Sequence, residues 1–132
     1  MKRHQMREYA FILIFEKIFT DETADEILET ASECEEIEVN QNVESLFRGV
    51  YDHLEELDGI IAKYLKNWSL SRISKVALAI LRLAVYEIKY CDEVPLSVSI
   101  DEAVELAKAY STTEDAGFIN GALGSYAKEL EG

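Results

Sequence analysis

Apolar residues recur every three or four positions along most of this chain, with polar and charged residues between them. That spacing places one apolar stripe on a helix, whereas a half-buried strand would alternate at every second residue. The pattern predicts a first helix from about Arg3 to Phe19. Its apolar positions are Tyr9, Phe11, Ile12, Leu13, Ile14, Phe15, Ile18 and Phe19. We expect this helix to be deeply packed beyond its basic first turn.

The N-terminal half continues with an acidic second helix and a third helix. Thr20 or Asp21 has the side chain needed to cap the second helix. The third helix is predicted to follow Asn40 and to break around residues 58–59, because the glycine there weakens a helix. A short fourth segment then covers residues 60–68. Its apolar and aromatic positions are Ile60, Ile61, Tyr64, Leu65 and Trp68.

The strongest helical pattern lies between residues 73 and 88, where apolar side chains cover nearly every side of the predicted helix. Ser69 or Ser71 is the expected N-cap. A helix at the surface of a protein keeps one polar face, so a helix that is apolar nearly all round is expected at the centre of a bundle.

Two more helices follow the single proline, Pro95, which disfavours helix in the residue before it. Ser99 and Glu102 have the spacing of a capping box at the start of the sixth helix. The seventh helix is predicted to begin near Thr113. The sequence therefore predicts an all-α fold of about seven helices.

The formal net charge is −13 at pH 7. Such a charge argues against nucleic acid as a partner, because phosphate binding needs a basic surface. The distribution changes this interpretation: Arg48 is the only lysine or arginine from 21 to 58, whereas Lys2, Arg3 and Arg7 open the chain. Screening over about 8 Å at physiological salt lets a basic patch act independently of a distant acidic half. Charge alone leaves two interpretations open, a nucleic-acid surface or solvated helix faces.

No signature of catalysis or metal binding stands out. The sequence has no Walker loop, GxGxxG or HExxH motif, and Cys34 and Cys91 lack zinc-ligand spacing. His4 and His53 are far apart and are expected on the surface. The N-terminal apolar run is short for a signal peptide, and no stretch approaches the roughly 20 apolar residues of a membrane span. We expect a cytoplasmic protein with reduced thiols and no enzymatic activity.

Three segments of the C-terminal half carry a family resemblance. Residues 80–87 read ILRLAVYE, residues 94–95 are VP and lead into VSIDEAVELAK at residues 98–108, and residues 118–123 read FINGAL. In their residues, order and spacing these segments resemble the corresponding segments of the NusB family. The resemblance is strong over most of residues 59–130 and weaker in the first helix.

The resemblance implies an all-α NusB-like fold in which a single domain, residues 1–132, consists of two packed helical subdomains, about 1–66 and about 67–132. It also implies binding of a single-stranded boxA-type RNA as a heterodimer with the ribosomal protein NusE. That assembly would support antitermination on ribosomal RNA operons and ribosome maturation, with other antitermination factors and RNA polymerase as indirect partners. No cofactor and no membrane contact are implied.

The resemblance also assigns candidate site residues. Those that match the family's RNA-side segments are Lys2, Arg3, His4, Arg7, Phe118 and Asn120. The N-terminal ones would contact phosphates, while the Phe118 ring would stack on a base and the Asn120 amide would read a base edge. Two alternatives stay open: Phe118 is a core residue, and Asn120 satisfies backbone groups at a helix start. The candidate residues that match the family's partner-binding face are Phe15, Ser71, Ser74 and Ala77.

Further details qualify these assignments. Gly117 stands directly before Phe118 where family members commonly have a lysine, so one phosphate contact is expected to be missing. Arg82 is expected to pair with an acid such as Glu102 or Glu105 rather than with phosphate. Phe15 either anchors the partner or is buried in its own bundle.

Three functions remain open at this point. The first is the RNA-binding factor that pairs with NusE. The second is a NusB-like protein-interaction module with weak or lost RNA binding, which the net charge of −13 would permit. The third is an accessory domain for a separate catalytic chain, because NusB-like domains also occur fused to RNA methyltransferases. A homodimer that hides the RNA surface until NusE binds is a further expectation, motivated by the aromatic-rich first helix.

Overall fold

The computed structural model describes residues 2–65 and 69–132, and within them the chain forms seven helices and no strand. This confirms the predicted all-α class and the predicted number of helices. The helices are α1 (Arg3–Ile18), α2 (Ala24–Ser32), α3 (Gln41–Asp52), α4 (Leu54–Lys63), α5 (Lys75–Tyr90), α6 (Leu96–Tyr110) and α7 (Thr113–Glu131). Trp68, which was assigned to the fourth segment, lies outside the described residues.

Helix α5 occupies the centre of the bundle, as its nearly continuous apolar surface predicted. It packs against α1, α3, α4, α6 and α7. Nine of its residues are buried, and the eight apolar ones join the interior faces of the other helices in one hydrophobic cluster. The division into two subdomains stays a prediction, because the proposed boundary falls at residues 66–68, outside the described part of the chain.

The N-terminus of α2 lies a few residues later than predicted. Thr23, and neither Thr20 nor Asp21, is the N-cap. Its hydroxyl accepts the Glu26 backbone N–H at 3.2 Å, while the Glu26 carboxylate accepts the Thr23 N–H at 3.2 Å. This reciprocal capping box satisfies two backbone donors that the helix leaves free. Asn40 caps α3 as the sequence indicated, and its side chain accepts the Val43 N–H at 2.8 Å.

The predicted break at residues 58–59 was wrong. Helix α3 ends at Asp52 and α4 begins at Leu54, with His53 between them. Asp58 lies inside α4, where both carboxylate oxygens accept hydrogen bonds from the Arg82 guanidinium, at 2.8 and 2.9 Å. The expected ion pair of Arg82 therefore exists, but its partner is Asp58 and neither Glu102 nor Glu105. A tertiary contact to α5 thus stabilises the turn of α4 that the glycine alone would weaken.

The starts of α5 and α6 also differ from the predictions. Ser74, and neither Ser69 nor Ser71, caps α5, since its hydroxyl accepts the Ala77 N–H at 3.0 Å. Helix α6 follows Pro95 directly and has no side-chain cap. Ser99 is therefore already in its first turns and is buried, where its hydroxyl faces the interior instead of closing a capping box.

Helices α3 and α5 approach each other closely at Gly49. A Cβ atom at this position would lie 2.2 Å from the Tyr86 phenol ring, far inside van der Waals contact. Only glycine leaves room for this ring, so the identity of residue 49 sets the separation of the two helices. Among residues 2–65 and 69–132, no helix combines the length and the apolar character needed to cross a membrane.

Candidate functional site

The first turn of α1 exposes a small group of basic side chains. Lys2 is the N-cap, and Arg3 and His4 follow in the first turn, all three exposed. Within the described part of the chain, neither Lys2 nor Arg3 forms an ion pair. The N-terminal end of a helix also carries the positive end of its dipole. This end of an otherwise acidic protein therefore offers two cations that can attract an anion.

His4 is tied to a neighbouring helix. Its Nδ1 lies 2.6 Å from Oε2 of Glu102 on α6. The hydrogen bond from the imidazole to the Glu102 carboxylate raises the pKa of His4 above its usual range; burial opposes this effect, and the negative charges of Glu102 and Glu8 add to it. His4 is therefore more readily protonated than a free histidine, and it anchors the N-terminus of α1 to α6.

Arg7 lies in the interior, which differs from the exposed position that direct phosphate contact requires. It is 4% exposed, and its partner Glu87 on α5 is 3% exposed. The Nε of Arg7 donates to both carboxylate oxygens of Glu87, at 2.8 and 2.9 Å. Burial opposes the charge of Arg7, but the hydrogen bond and charge of Glu87 outweigh it, so the pKa of Arg7 is raised. Ser99 on α6 approaches the same carboxylate at 3.5 Å.

A cleft of about 220 Å³ opens beside this ion pair. Arg3 and Arg7 line it from α1, Asn42 and Ser45 from α3, and Glu87 from α5. The structure thus brings two of the predicted RNA-side residues, Arg3 and Arg7, to one depression. Glu87, which the sequence motif contains but no site prediction included, is the residue that holds Arg7 there.

Phe118 and Asn120 lie in the middle of the chain's last helix. Helix α7 begins at Thr113, so Asn120 is not at a helix start and does not satisfy backbone groups there. Its side chain is exposed, while Phe118 is half-buried and packs against the hydrophobic core. Both α7 and α1 pack on α5. The polar contacts of His4 and Arg7 go to Glu102 on α6 and to Glu87 on α5, and so do not link the N-terminus of α1 to Phe118 or Asn120.

Aromatic rings continue along α1 toward its C-terminal end. Phe15 is half-buried, and its ring centroid lies 6.2 Å from that of Phe11 and 5.0 Å from that of Phe19. Phe19 is 63% exposed. The helical spacing of Phe15 and Phe19 predicts that the two rings share a face, but the family resemblance assigned only Phe15 to the partner-binding face.

The chain matches one family model over nearly all of its length. That model, described as the NusB family, covers residues 4–128. The chain belongs to the NusB family. It is 46% identical over 133 residues to the transcription antitermination protein NusB of Acetivibrio thermocellus, and the alignment covers 97% of this chain and 90% of that protein. The resemblance seen in the sequence is thereby confirmed, and the protein is an antitermination factor of the NusB type.

Solved NusB structures share the fold of this chain. A structure of T. maritima NusB has a TM-score of 0.86 and 36% identity, covering 98% of this chain and 92% of that one. A chain from a crystal structure of antitermination factors NusB and NusE in complex with dsRNA has a TM-score of 0.84 and 26% identity, covering 96% of each chain. These similarities confirm the predicted NusB fold.

Three of the predicted partner-face residues lie around the start of α5. Ser71 is exposed, and its hydroxyl lies 3.0 Å from that of Ser69. Ser74 caps α5 and also donates to Asp115 of α7 at 2.8 Å. Ala77 is completely buried. Direct contact with a partner is thus open to Ser71 and Ser74, whereas Ala77 lies beneath them in the core.

The remaining chemistry of the site is simple. The structure describes no group of three or more His, Cys, Asp or Glu side chains placed to hold a metal ion among residues 2–65 and 69–132. Cys34 and Cys91 are both free thiols in the structure. The arrangement offers charge, aromatic rings and hydrogen-bonding groups, which are the elements of binding.

Proposed function

We propose that this protein binds single-stranded boxA-type RNA together with the ribosomal protein NusE, and that this assembly supports antitermination on ribosomal RNA operons and ribosome maturation. The observation that carries the proposal is the similarity of nearly the whole chain to a NusB structure solved with NusE and dsRNA. Other antitermination factors and RNA polymerase would be reached through this assembly.

The N-terminus of α1 is the proposed entry point for the RNA backbone. Lys2, Arg3 and protonated His4 would contact phosphates, which fix register and orientation but read no sequence. The net charge of −13 does not prevent this, because charges farther than about 8 Å away are largely screened at physiological salt. Arg7 would act indirectly, since its ion pair with Glu87 holds the first turns of α1 on α5.

The exposed side of α7 is the proposed contact for bases. Asn120 presents an amide with two donors and one acceptor to the solvent. Phe118 keeps part of its ring accessible, and stacking on such a ring tolerates any base. With Gly117 in the preceding position, this segment supplies no cation of its own directly before the ring.

The proposed NusE surface combines Phe15, Phe19, Ser71 and Ser74. An aromatic ring that is exposed in the free protein and buried in a complex is a typical anchor of a protein interface, and Phe19 has the most exposed ring of the α1 aromatic row. The same rings could pair two copies of the free protein. Sedimentation over a range of concentrations measures this directly, and a monomer throughout would exclude the homodimer.

Fluorescence anisotropy of a labelled boxA-type single-stranded RNA tests the proposal. Binding should be salt-sensitive, should strengthen when NusE is added, and should weaken in Lys2→Ala and Arg3→Ala. Each lost phosphate contact should reduce the slope of log affinity against log salt by about 0.7. Lys128→Ala is the matched control, because it removes the same charge from an exposed position in the last turn of α7. Absence of salt-sensitive binding in the presence of NusE would overturn the proposal.

One observation favours a second function, a protein-interaction module with weak or lost RNA binding. The exposed ring of Phe19 is available to a protein partner whatever the affinity of the N-terminus for RNA. Tight binding of NusE that Phe19→Ala weakens, without any gain in RNA affinity, would select this function over the first.

A further inference from the structure

The cleft beside the N-terminus of α1 has the size of a small planar group. Residues of α1, α3, α5 and the α5–α6 connection line it, and its volume is about 220 Å³. Sites for whole cofactors and drug-sized ligands usually measure roughly 300–1,000 Å³. A group of one or two rings therefore suits the cleft better than a complete nucleotide cofactor does.

The walls of the cleft are mostly apolar. Met6, Leu46 and Val94 are half-buried and face it from α1, α3 and the α5–α6 connection, and the Tyr86 ring adds an aromatic surface. Half-buried apolar side chains gain further shielding from water when a flat ligand enters. These walls favour a ring system over a sugar or a phosphate.

The interior of the cleft carries almost no net charge. The guanidinium of Arg7 is neutralised by Glu87 at hydrogen-bonding distance. Burial raises the pKa of the Cys91 thiol to about 11, with the charge of Glu87 adding to the effect, so this side chain is neutral at physiological pH. A neutral ligand meets no unbalanced charge in such a site, whereas a phosphate would have to displace Glu87 from Arg7.

Polar groups stand at the rim of the cleft. Asn42 and Ser45 are exposed on α3, one helical turn apart, and can both donate and accept hydrogen bonds. Arg3 lines the same rim from α1, and the exposed carboxylate of Glu93 lines the cleft from the α5–α6 connection. A ligand that has a flat apolar face, a polar edge and an attached phosphate matches this arrangement of walls and rim.

We propose that the cleft receives one unstacked base of the bound RNA strand. The base lies against Met6, Leu46 and Tyr86, its polar edge meets Asn42 and Ser45, and its phosphate lies at Arg3. This subsite makes the N-terminus of α1 a point of sequence preference as well as of backbone attachment, because base edges carry sequence and phosphates do not. The inference rests on the proposed RNA-binding function.

Abasic scanning of the RNA tests the subsite. In a complex of the full chain with NusE and a short boxA-type RNA, removal of one particular base should weaken binding about tenfold, in line with the loss of one base stack. Ser45→Tyr should fill the cleft and weaken binding of the intact RNA by a similar factor. In this variant, removal of that same base should have no further effect on binding. Gln41→Tyr is the matched control, since Gln41 is exposed on the same helix and does not line the cleft.

Two further measurements do not depend on the bulky variant. Asn42→Ala should reduce the preference for the native base at that same position, with unchanged thermal unfolding. The methyl resonance of Met6 should shift upfield on RNA binding through the ring current of the base, and should not shift with RNA that is abasic there.

The outcomes separate the two proposals. No RNA binding in any mixture overturns the proposed function. The base subsite alone is overturned if RNA binds but Ser45→Tyr abolishes the effect of base removal at no position and the Met6 methyl resonance does not shift. If Ser45→Tyr weakens NusE binding and leaves RNA binding unchanged, the cleft belongs to the protein partner and the subsite is likewise overturned.

Discussion

Arg7 and Glu87 form an ion pair that joins the first helix to the central helix inside the protein, with hydrogen bonds of 2.8 and 2.9 Å from one guanidinium nitrogen to both carboxylate oxygens. Both side chains are at most 5% exposed. Two paired charges in the interior tolerate joint replacement better than the loss of one partner, because a single buried charge has no compensation.

Arg7→Ala is expected to destabilise the protein by about 3–5 kcal/mol, since it leaves the Glu87 carboxylate buried and unpaired. The double variant Arg7→Met with Glu87→Leu should recover most of this loss. Urea denaturation monitored by circular dichroism gives the free energy of unfolding of each variant. Equal stability of Arg7→Ala and wild type would show that the pair does not hold α1 on α5. Arg3→Ala, at an exposed site, is the control and should change stability by less than about 0.5 kcal/mol.

Gly49→Ala is expected to destabilise the protein by about 1–3 kcal/mol, because the added methyl group would overlap the Tyr86 ring and force the helices apart. Gly59→Ala is the matched control. Gly59 is exposed inside α4 with no atom within 4 Å of an added Cβ, so alanine there should stabilise by about 0.5–1 kcal/mol through helix propensity. Thermal unfolding of both variants measures the contrast, and changes of the same sign would contradict the close packing at Gly49.

Ser74→Ala is expected to lower the free energy of unfolding by about 1 kcal/mol, because it removes the cap of α5. The loss of the hydrogen bond to Asp115 adds to this effect. Ser71→Ala is the control, and the structure gives Ser71 no capping role. If the denaturant midpoint falls for Ser71→Ala and not for Ser74→Ala, then Ser71 caps α5, as one of the predictions from the sequence had it, and Ser74 does not.

The hydrogen bond between His4 and Glu102 predicts a pH dependence of its own. Because the folded pKa of His4 is raised, the bond contributes stability below the ordinary imidazole pKa of about 6.5, and the contribution is lost as the pH rises through the raised value. Titration of the His4 ring protons by NMR should give a pKa above that of a free histidine. Glu102→Gln should return it toward the ordinary value, whereas Glu105→Gln on the same helix should not.

RNA affinity should follow the same titration if His4 contacts phosphate as proposed. Affinity for boxA-type RNA would then fall as His4 loses its proton, and His4→Gln would remove that pH dependence. An affinity that is flat across the titration of His4 would limit the phosphate contacts to Lys2 and Arg3.

Most of the helical architecture could be predicted from local patterns. The apolar spacing located α1 to within one residue at its C-terminal end, and the apolar character of residues 73–88 placed α5 at the centre. Helix caps were predicted less well, because serine, threonine and aspartate occur at several neighbouring positions. Thr23 rather than Thr20 caps α2 because Glu26 stands where it can complete the capping box.

The sequence by itself determined the all-α class, the central position of α5 and the family, because helical periodicity and the motifs at residues 80–87, 94–108 and 118–123 are local properties of the chain. Only the tertiary structure decided which charges meet. Arg7 and Glu87 are 80 residues apart, and Arg82 and Asp58 are 24 apart. Their pairing depends on which helices pack side by side and in what register, so an arginine with the local pattern of a phosphate contact becomes a buried structural residue.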